Sequence, residues 1–317
     1  MTSTESVNYM SKIYDVAIIG AGPAGMSAAI YARRAARSVI LFEALSVGGQ
    51  IVTANEVENY PAIKKISGFD LANELYEQAD ALGCEFEFAR VTEAGESEGG
   101  LKRIVCEDGG EYLAKTVIIA VGARCRKLGL ENEERLTGSG VSYCAVCDGS
   151  FFKGKTVAVN GGGNSAVDDA IYLADHAATV YLIHRRDAFR AEDVKMEQLA
   201  SKSNIILRTN AVVEAINGSS LVESLTLRDT KTGETSELAV DGLFVAIGRV
   251  PETEVFSELV ELDSSGYIVA GEDCRTKHPG VFVAGDCRTK SVRQLVTAAS
   301  DGAIAAIAAS EYINSLK

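Results

Sequence analysis

Cys144 and Cys147 stand three residues apart in the stretch "SYCAVCDGSF", and Asp148 follows them directly. A Cys-x-x-Cys pair occurs as half of a zinc site, as a redox dithiol or by coincidence, and the local sequence does not choose among the three. Zinc needs further thiolate or imidazole ligands, but the chain has three histidines and no second Cys-x-x-Cys motif. A metal site is therefore disfavoured, while a redox pair and a chance pair of structural cysteines both stay open.

A glycine turn near the N-terminus offers a second kind of chemistry. The apolar run "YDVAIIG" leads into Gly20 to Gly25, "GAGPAG", and a helical stretch follows to about Ala36. The first glycine of such a motif permits a tight turn, the second lets the backbone approach a pyrophosphate, and the third allows close packing of helix on strand. The next strand, "SVILFE", ends at Glu43, where a carboxylate can accept hydrogen bonds from ribose hydroxyls. The sequence therefore predicts a dinucleotide site here.

The same plan recurs further along the chain with a different second strand. "KTVAVN" leads into Gly161 to Ala166, "GGGNSA", followed by a helix to about His176 and the strand "TVYLIH". That strand ends in "HRR", with Arg190 four residues beyond Arg186. Paired guanidiniums bind a 2′-phosphate in bidentate fashion, whereas a carboxylate would repel it. This site is predicted to prefer NADPH to NADH, and the alternative is a solvated basic turn.

Composition limits the classes of function. The 317 residues, 47% of them hydrophobic, give a globular chain with room for two domains. A net charge of -13 argues against nucleic acid or an anionic membrane as partner. The N-terminus lacks a signal-type apolar run and no stretch reaches transmembrane length, so we expect a cytoplasmic protein. The other five cysteines are predicted to be small buried hydrophobic residues; they are Cys84, Cys106, Cys125, Cys274 and Cys287.

Further elements must position these residues. Apolar segments beginning at Val117, Leu243 and Gly280 each run into a glycine, as buried strands that deliver backbone to a ligand do. The last places Asp286 ahead of a long apolar helix that begins near Arg293 and Gln294. Residues 68–83 have the pattern of an amphipathic helix, 102–122 read as short strands, 211–246 alternate like a small meander, and "EAGESEGG" around Gly95 reads as a polar turn.

The predicted fold class is α/β, with two Rossmann-like three-layer (ββα) dinucleotide-binding domains, the second inserted into the first. The first comprises 1–123 and 250–317 and the second 124–249, and the second carries the Cys-x-x-Cys pair. That position favours a redox dithiol, because thiols at a helix start share one face and have their pKa values lowered by the helix dipole. Asp148 is then placed to pass protons as thiolates form and leave.

The order of these motifs carries a family resemblance. "GAGPAG", "GGQ", "EVENYP", "CAVCDG", "GGGNSA", "HRRDAFRA" and "GVFVAGD" followed by "RQ" occur as in the bacterial-type, low-molecular-weight thioredoxin reductases of the class II pyridine nucleotide-disulfide oxidoreductase family. The chain resembles that family from about Tyr14 to Tyr312. The resemblance implies a homodimer with one FAD per subunit, NADPH as co-substrate and thioredoxin as the protein substrate.

The resemblance also implies roles for single residues. Cys147 would face the flavin, Cys144 would attack the partner, and one domain would rotate against the other about connections near Ala123 and Arg249. The implied FAD contacts are Gly20, Gly22, Pro23, Ala24, Gly25, Glu43, Gly49, Gln50, Asn59, Val91, Gly122, Gly285, Asp286, Arg293, Gln294 and Ala298. The implied NADPH contacts are Gly161, Gly163, Asn164, Ser165, His184, Arg185, Arg186, Arg190, Ile247 and Gly248.

Two positions depart from the family pattern, and two other functions stay open. Val146 stands where threonine is usual between the cysteines, and Asn160 stands where an apolar residue or glycine is commoner. One alternative is a related reductase with a glutaredoxin-like or peroxiredoxin-linked acceptor, although such peroxiredoxin reductases normally carry an extra N-terminal dithiol domain. The other is a flavin-binding sensor without turnover, which NADPH would fail to bleach.

Overall fold

The structure, a computed structural model, describes residues 12–54, 56–97 and 99–316. Its strands are β1 Ile13–Ile19, β2 Val39–Phe42, β3 Glu85–Glu87, β4 Val91–Glu96, β5 Lys102–Cys106, β6 Glu111–Ile119, β7 Ala123–Cys125, β8 Val141–Ser142, β9 Thr156–Asn160, β10 Thr179–His184, β11 Ile205–Thr209, β12 Ala211–Asn217, β13 Ser224–Asp229, β14 Thr235–Ala239, β15 Gly242–Val245, β16 Arg249–Pro251 and β17 Val281–Val283. Its α-helices are α1 Pro23–Arg34, α2 Gly68–Ala81, α3 Ala145–Asp148, α4 Asn164–Ala174, α5 Asp193–Ala200 and α6 Leu295–Ser315. Short 3₁₀ helices cover Gly49–Thr53, Gly149–Phe152, Glu254–Phe256 and Gly285–Cys287.

The chain forms two compact units. Unit 1 runs up to Arg124 and resumes at Val250, and unit 2 spans Cys125–Arg249. The two crossings are the short strands β7 and β16, which pair with each other. None of the helices in the described ranges is long and apolar enough to cross a membrane.

Unit 1 is built on a sheet in the order β3-β2-β1-β6-β5-β4, with β17 paired to β6. The pairs β1–β2, β1–β6, β2–β3 and β6–β17 are parallel, and β4, β5 and β6 form an antiparallel meander. The "IYDVAII" run of β1 is apolar almost throughout because both faces of the parallel sheet are covered. Alternate residues enter two separate apolar clusters, with Ile18 in one and Ile19 in the other.

Small side chains bring helices α1 and α6 together on one face of this sheet. A Cβ built on Gly302 would lie 2.0 Å from the Ala24 carbonyl oxygen, so only glycine fits at that crossing. Ala28 and Ala305 are both fully buried in the same cluster. The alanine and glycine content of the two helices therefore sets how closely α6 approaches α1.

The predicted polar turn around Gly95 is wrong in its first half. Ala94 is buried, and β4 pairs antiparallel with β5 through Glu96. Glu93 is exposed and bonds Arg103 at 2.6 Å, whereas Glu96 bonds the buried Lys102 side chain at 2.6 Å. A hairpin edge with paired charges thus has the composition of a loop.

Unit 2 contains a parallel sheet in the order β11-β10-β9-β15-β8 and a separate antiparallel meander, β12-β13-β14. The expected meander over 211–246 therefore ends at Ala239, and Gly242–Val245 joins the parallel sheet as buried β15. With its covering helices, this unit has the predicted three-layer arrangement. In both units the predicted order of strand, glycine turn, helix and strand is present, and the predicted α/β fold class is confirmed.

Candidate active site

The first glycine turn joins β1 to α1. Gly20 has φ +105°, and a Cβ on Gly25 would lie 1.8 Å from the Gly20 carbonyl oxygen, so the helix can approach the strand only without that side chain. A Cβ on Gly22, by contrast, would meet nothing within 4 Å. The turn is therefore closed on its strand side and open in front of the helix, where Pro23 and Ala24 begin the first turn of α1.

Both carboxylate oxygens of Glu43 accept hydrogen bonds from backbone N–H groups, and one of these bonds joins Glu43 to the turn. Glu43 lies just past β2, with Oε2 accepting from the Ala21 backbone N–H at 2.8 Å and Oε1 accepting from Leu45 N–H at 2.9 Å. Each oxygen keeps a second lone pair. The carboxylate is thus fixed beside the turn and retains acceptor capacity for a ribose hydroxyl.

The "GGQ" segment lies against the same turn. A Cβ on Gly49 would be 3.3 Å from the Gly22 Cα. Gln50 donates its side-chain N–H to the Ala123 carbonyl at 2.7 Å and lies beside Gly122. These glycine and glutamine residues are therefore brought together with the first turn.

The start of α6 and the 3₁₀ helix before it lie on the other side of the first glycine turn. A Cβ on Gly285 would lie 2.9 Å from the Ala24 Cβ and 3.8 Å from the Ala298 Cβ. Arg293 donates to the Asp286 carbonyl oxygen at 3.2 Å and lies over the Tyr267 ring.

Gln294 is the N-cap of α6, and its capping box with Thr297 uses its backbone N–H and its side chain. Asn59 Nδ2 lies 3.5 Å from Gln294 Oε1, which brings the "EVENYP" segment to this helix start. Val91 is placed differently, because it begins β4 and packs against the apolar cluster that contains Ile19.

The second glycine turn, between β9 and α4, repeats the steric plan. A Cβ on Gly161 would be 2.4 Å from the Ala246 carbonyl oxygen, and one on Gly162 would overlap the His184 ring. A Cβ on Gly163 would meet nothing within 4 Å. The open position again directly precedes the helix, beside exposed Ser165.

The basic segment after β10 is held against this turn. Buried His184 stacks on Phe189 with ring centroids 5.0 Å apart, and the Arg190 backbone N–H donates to the Gly162 carbonyl at 2.8 Å. Burial lowers the pKa of His184, and the nearby arginines lower it further, so the ring is neutral near pH 7. The Arg185 and Arg186 side chains are exposed, as is that of Arg190. Three guanidiniums are therefore available at the end of the second strand.

Asn164 has a different environment from the one expected. Its Nδ2 donates to Glu192 Oε1 at 2.7 Å, and its Oδ1 accepts from the Glu192 N–H at 2.9 Å. This reciprocal pair joins α4 to the start of α5 and occupies the amide. Ile247 and Gly248 follow β15; Gly248 has φ +105° and open space where a Cβ would lie.

Two α-helices in the described part of the chain, α1 and α4, begin with neither a side-chain cap nor an acidic residue in the first turn. The others have a cap, an acid or both. Uncapped N–H groups and the positive end of the helix dipole favour an anion. Because each of these helices follows an open glycine, the residues present fit one dinucleotide pyrophosphate in each unit.

Cys144 and Cys147 form a disulfide with Cα atoms 5.3 Å apart. Cys144 is the N-cap of the short helix α3, and its Sγ accepts from the Cys147 backbone N–H at 3.2 Å. Cys147 is exposed and Cys144 is half-buried. The helix-start position predicted for the pair is therefore present, and among the described residues no group of three or more His, Cys, Asp or Glu side chains is arranged for a metal ion.

Asp148 ends α3 in a half-buried position. Burial raises the pKa of its carboxyl, and a hydrogen bond from Ser142 Oγ at 2.6 Å acts against that rise. The role of Ser142 could not be predicted from the sequence, because Asp148 lies six residues away and comes within reach only when α3 turns the chain back.

The remaining cysteines are buried at four of five positions. Cys84, Cys106, Cys274 and Cys287 are buried, and burial raises the pKa of each thiol to about 11 or about 12. Cys125 is half-buried, so its predicted burial is wrong, because it lies at the end of the two-stranded β7–β16 crossing. The buried thiols are inert at neutral pH.

Comparison with known proteins gives a consistent result. Residues 14–302 match the family described as pyridine nucleotide-disulphide oxidoreductase. The chain is 43% identical to a thioredoxin reductase of Bacillus subtilis over 96% of each chain. It is 42% identical to a bifunctional thioredoxin reductase/thioredoxin of Mycobacterium leprae, over 99% of this chain and 68% of that one. A crystal structure of thioredoxin reductase from Streptococcus pyogenes superposes with a TM-score of 0.91 at 41% identity, over 96% of this chain and 99% of that chain.

Proposed function

This chain belongs to the pyridine nucleotide-disulphide oxidoreductase family, and we propose that it is an NADPH-dependent thioredoxin-disulfide reductase. The observation that carries the proposal is the Cys144–Cys147 disulfide at the start of α3. The pair precedes the strand and glycine turn of unit 2, so a dithiol and a nucleotide fold share one compact unit. No observation favours a different acceptor or a sensor without turnover.

Unit 1 is the proposed FAD domain. Gly22 leaves the space in front of α1 that a pyrophosphate needs, and Glu43 holds its carboxylate beside that turn. Gln50, Asp286 and Arg293 flank the same region. The bound FAD would supply two-electron chemistry between a nicotinamide and a disulfide.

Unit 2 is the proposed NADPH domain. Gly163 leaves the matching space in front of α4, and the Arg190 N–H and the His184 ring hold the basic segment onto Gly162. Exposed Arg185 and Arg186 can then pair with a 2′-phosphate. Since NADH lacks that phosphate, these guanidiniums provide the preference for NADPH.

The dithiol transfers electrons to the protein substrate by exchange. The Cys144 thiolate attacks the thioredoxin disulfide, forming a mixed disulfide while the substrate S–S bond breaks. Cys147 then attacks Cys144, which closes the disulfide and releases the second substrate thiolate. Asp148, whose pKa burial raises, is the group that gives and takes the protons. The assignment of Cys144 as the attacking sulfur comes from the family resemblance.

Thioredoxin is the proposed acceptor because the curated relatives named above are thioredoxin reductases, and one of them joins reductase and thioredoxin in a single chain. We propose that the enzyme works as a cytoplasmic homodimer. Each electron transfer needs the nicotinamide or the disulfide near the flavin in turn, so we propose a rotation of unit 2 about the paired crossings β7 and β16.

The test compares Cys144→Ser and Cys147→Ser with the parent protein. NADPH should bleach the flavin of all three anaerobically, whereas the parent alone should oxidise NADPH with oxidised bacterial thioredoxin. Cys106→Ala, which removes a buried thiol of unit 1, is the control and should keep turnover. Serine variants that reduce thioredoxin as fast as the parent would show that the pair is not the carrier.

A further inference from the structure

The Ser142 hydroxyl lies between the dithiol backbone and the Asp148 carboxyl. Ser142 ends β8 and is 4% exposed. Its Oγ accepts from the Cys144 backbone N–H at 3.1 Å, and two acceptors surround it: Asp148 Oδ2 at 2.6 Å and the Cys144 carbonyl oxygen at 3.4 Å. A hydroxyl has one proton and two lone pairs. It can therefore donate to only one of these acceptors at a time.

The choice between acceptors follows the charge of Asp148. When the carboxyl is ionised, the hydroxyl proton points to Oδ2, and the bond is charge-assisted. When the carboxyl is protonated, its own O–H can donate to Ser142 Oγ, and the serine proton turns to the Cys144 carbonyl. Asp148 thus keeps a partner in both protonation states, with no side chain moving.

Among the groups around Asp148, the Ser142 hydroxyl has the main polar effect on the pKa of the carboxyl. Burial raises the pKa of the carboxyl and the Ser142 hydrogen bond lowers it. Helix α4 packs against α3, with the Tyr172 ring against Gly149 and tilted beside the His176 ring. Asp169 lies one turn earlier on α4, and burial raises the pKa of its carboxyl to about 6. Neither Tyr172 nor Asp169 contributes to the pKa shift of Asp148. On α3 itself the neighbouring sulfurs form a disulfide and do not titrate in this state.

We propose that Ser142 is a positioning residue for Asp148, which orients the carboxyl toward proton exchange with the dithiol and follows each change in its protonation. The inference rests on the proposed function of that dithiol. As the Cys144 thiolate attacks the substrate disulfide, the first substrate thiolate leaves and takes the proton of Asp148. The Cys147 thiol proton then passes to Asp148, the Cys147 sulfur attacks Cys144, and the second substrate thiolate leaves with that proton. Two electrons and two protons reach the substrate, and Asp148 ends as a carboxylate bonded to Ser142.

The first measurement needs neither thioredoxin nor NADPH. The protein as purified is labelled with [4-¹³C]aspartate, the Asp148 resonance is assigned from its absence in Asp148→Asn, and its shift is followed against pH. Losing a donor to the carboxylate disfavours the charged form, so Asp148 should titrate at higher pH in Ser142→Ala. Ser142→Thr keeps the hydroxyl and should titrate as the parent does. Ser150→Ala, an exposed serine of the next turn, is the matched control.

The second measurement is NADPH-dependent reduction of oxidised bacterial thioredoxin as a function of pH. Ser142→Ala should lower kcat about ten-fold, the factor expected for one hydrogen bond to a charged group, and move the alkaline limb of the profile to higher pH. Ser142→Thr should restore both features. In an Asp148→Asn background, Ser142→Ala should add little, because the serine acts through the missing carboxyl.

The outcomes separate the two proposals. An unchanged Asp148 titration in Ser142→Ala overturns the positioning role, as does an equal fall in kcat with and without Asp148. A lower kcat with an unmoved pH limb also overturns it, since a purely structural serine would give that result. If the parent fails to reduce thioredoxin while the Asp148 titration still responds to Ser142, the proposed acceptor fails and the Ser142–Asp148 link stands.

Discussion

Replacing Asp301 by alanine removes the centre of a buried charge cluster in unit 1. Asp301 Oδ2 accepts from Arg288 Nε at 2.9 Å, Lys290 Nζ at 2.7 Å and the Gly285 backbone N–H at 3.0 Å, and Oδ1 accepts from Arg288 Nη2 at 3.0 Å. The side chains of Arg288, Lys290 and Asp301 are 1%, 5% and 4% exposed. The variant would leave two cations and one backbone donor buried without this acceptor.

The expected cost is large. Removing one partner of a buried ion pair costs about 3–5 kcal/mol, because the other charge stays desolvated. That is a substantial share of the roughly 5–15 kcal/mol by which domains are stable. The matched control is Glu311→Ala on the same helix. Glu311 pairs with Arg275 at 2.8 Å, but the two side chains are 66% and 41% exposed, and such pairs are worth at most about 1 kcal/mol.

The contribution of Asp301 also has a defined pH dependence. Burial raises the pKa of its carboxyl, but the hydrogen bonds from Arg288 and Lys290 outweigh burial and hold the pKa below its ordinary value. When the pKa in the folded state is lowered, the carboxylate contributes stability at pH values above its unfolded-state pKa of about 3.9. That stability is lost as the pH falls through the folded-state pKa. The difference between parent and Asp301→Ala should therefore be constant from pH 6 to 8 and shrink only in strong acid.

The assay is urea unfolding followed by far-UV circular dichroism, because the chain has no tryptophan to report by fluorescence. Every sample should contain the same excess of FAD, since a ligand of the folded state changes apparent stability. Asp301→Ala should unfold at clearly lower urea than Glu311→Ala. Equal midpoints for the two variants would refute the argument that burial, rather than the ion pair itself, makes Asp301 important.

Two further predictions concern the nucleotide turns. Gly22→Ala should fold, since its Cβ meets no protein atom within 4 Å, yet lose flavin affinity; Gly25→Ala, whose Cβ overlaps the Gly20 carbonyl, should lose both flavin and thermal stability. The flavin-to-protein absorbance ratio and the melting temperature check this pair, and flavin retained by Gly22→Ala would contradict it. Arg185→Ala and Arg186→Ala should each raise the KM for NADPH about 10- to 100-fold and leave that for NADH unchanged. The control Arg208→Ala, an exposed arginine on β11, should alter neither KM. Equal changes in the KM for NADPH and for NADH would show that Arg185 and Arg186 do not bind the 2′-phosphate.

The glycine turns could be predicted from sequence because their geometry is local. Gly20 and Gly25 meet within one turn of chain, and the motif between them specifies the contact. Glu43 could be predicted because parallel strands end at one edge of a sheet, which brings the end of β2 to the turn after β1. In both cases a short sequence pattern determines which residues are in contact.

Other features depend on contacts that no short pattern specifies. The Arg288–Asp301 pair is buried, although Asp301 belongs to a helix whose sequence reads as apolar and which it merely interrupts. Asn164 reads as a nucleotide contact from the motif, yet its amide is bonded to Glu192, 28 residues away. Which partner a polar side chain takes is decided by packing between elements, and the sequence alone does not give that packing.

The two turns bring helix and strand together with different residues at the contact. In unit 1 both contacting residues are glycine, and a Cβ on Gly25 would overlap the Gly20 carbonyl. In unit 2 the third motif position is Ala166, and only the strand-end residue lacks a side chain: a Cβ on Gly161 would lie 2.6 Å from the Ala166 Cβ. Alanine therefore fits at the third motif position in unit 2, whereas unit 1 has no room for it.

In both units the end of the second strand contacts the glycine turn, but the residues there are acidic in unit 1 and basic in unit 2. In unit 1 the Glu43 carboxylate accepts from the Ala21 N–H, so the residue that fixes the turn is also the one that would meet a ribose. In unit 2 the Arg190 backbone N–H and the His184 ring hold Gly162, which leaves the Arg185 and Arg186 side chains in solvent. The contact that holds the turn therefore uses the Glu43 side chain in unit 1 and mainly the Arg190 backbone in unit 2. Guanidiniums that are not needed to hold the turn are the ones available for a 2′-phosphate.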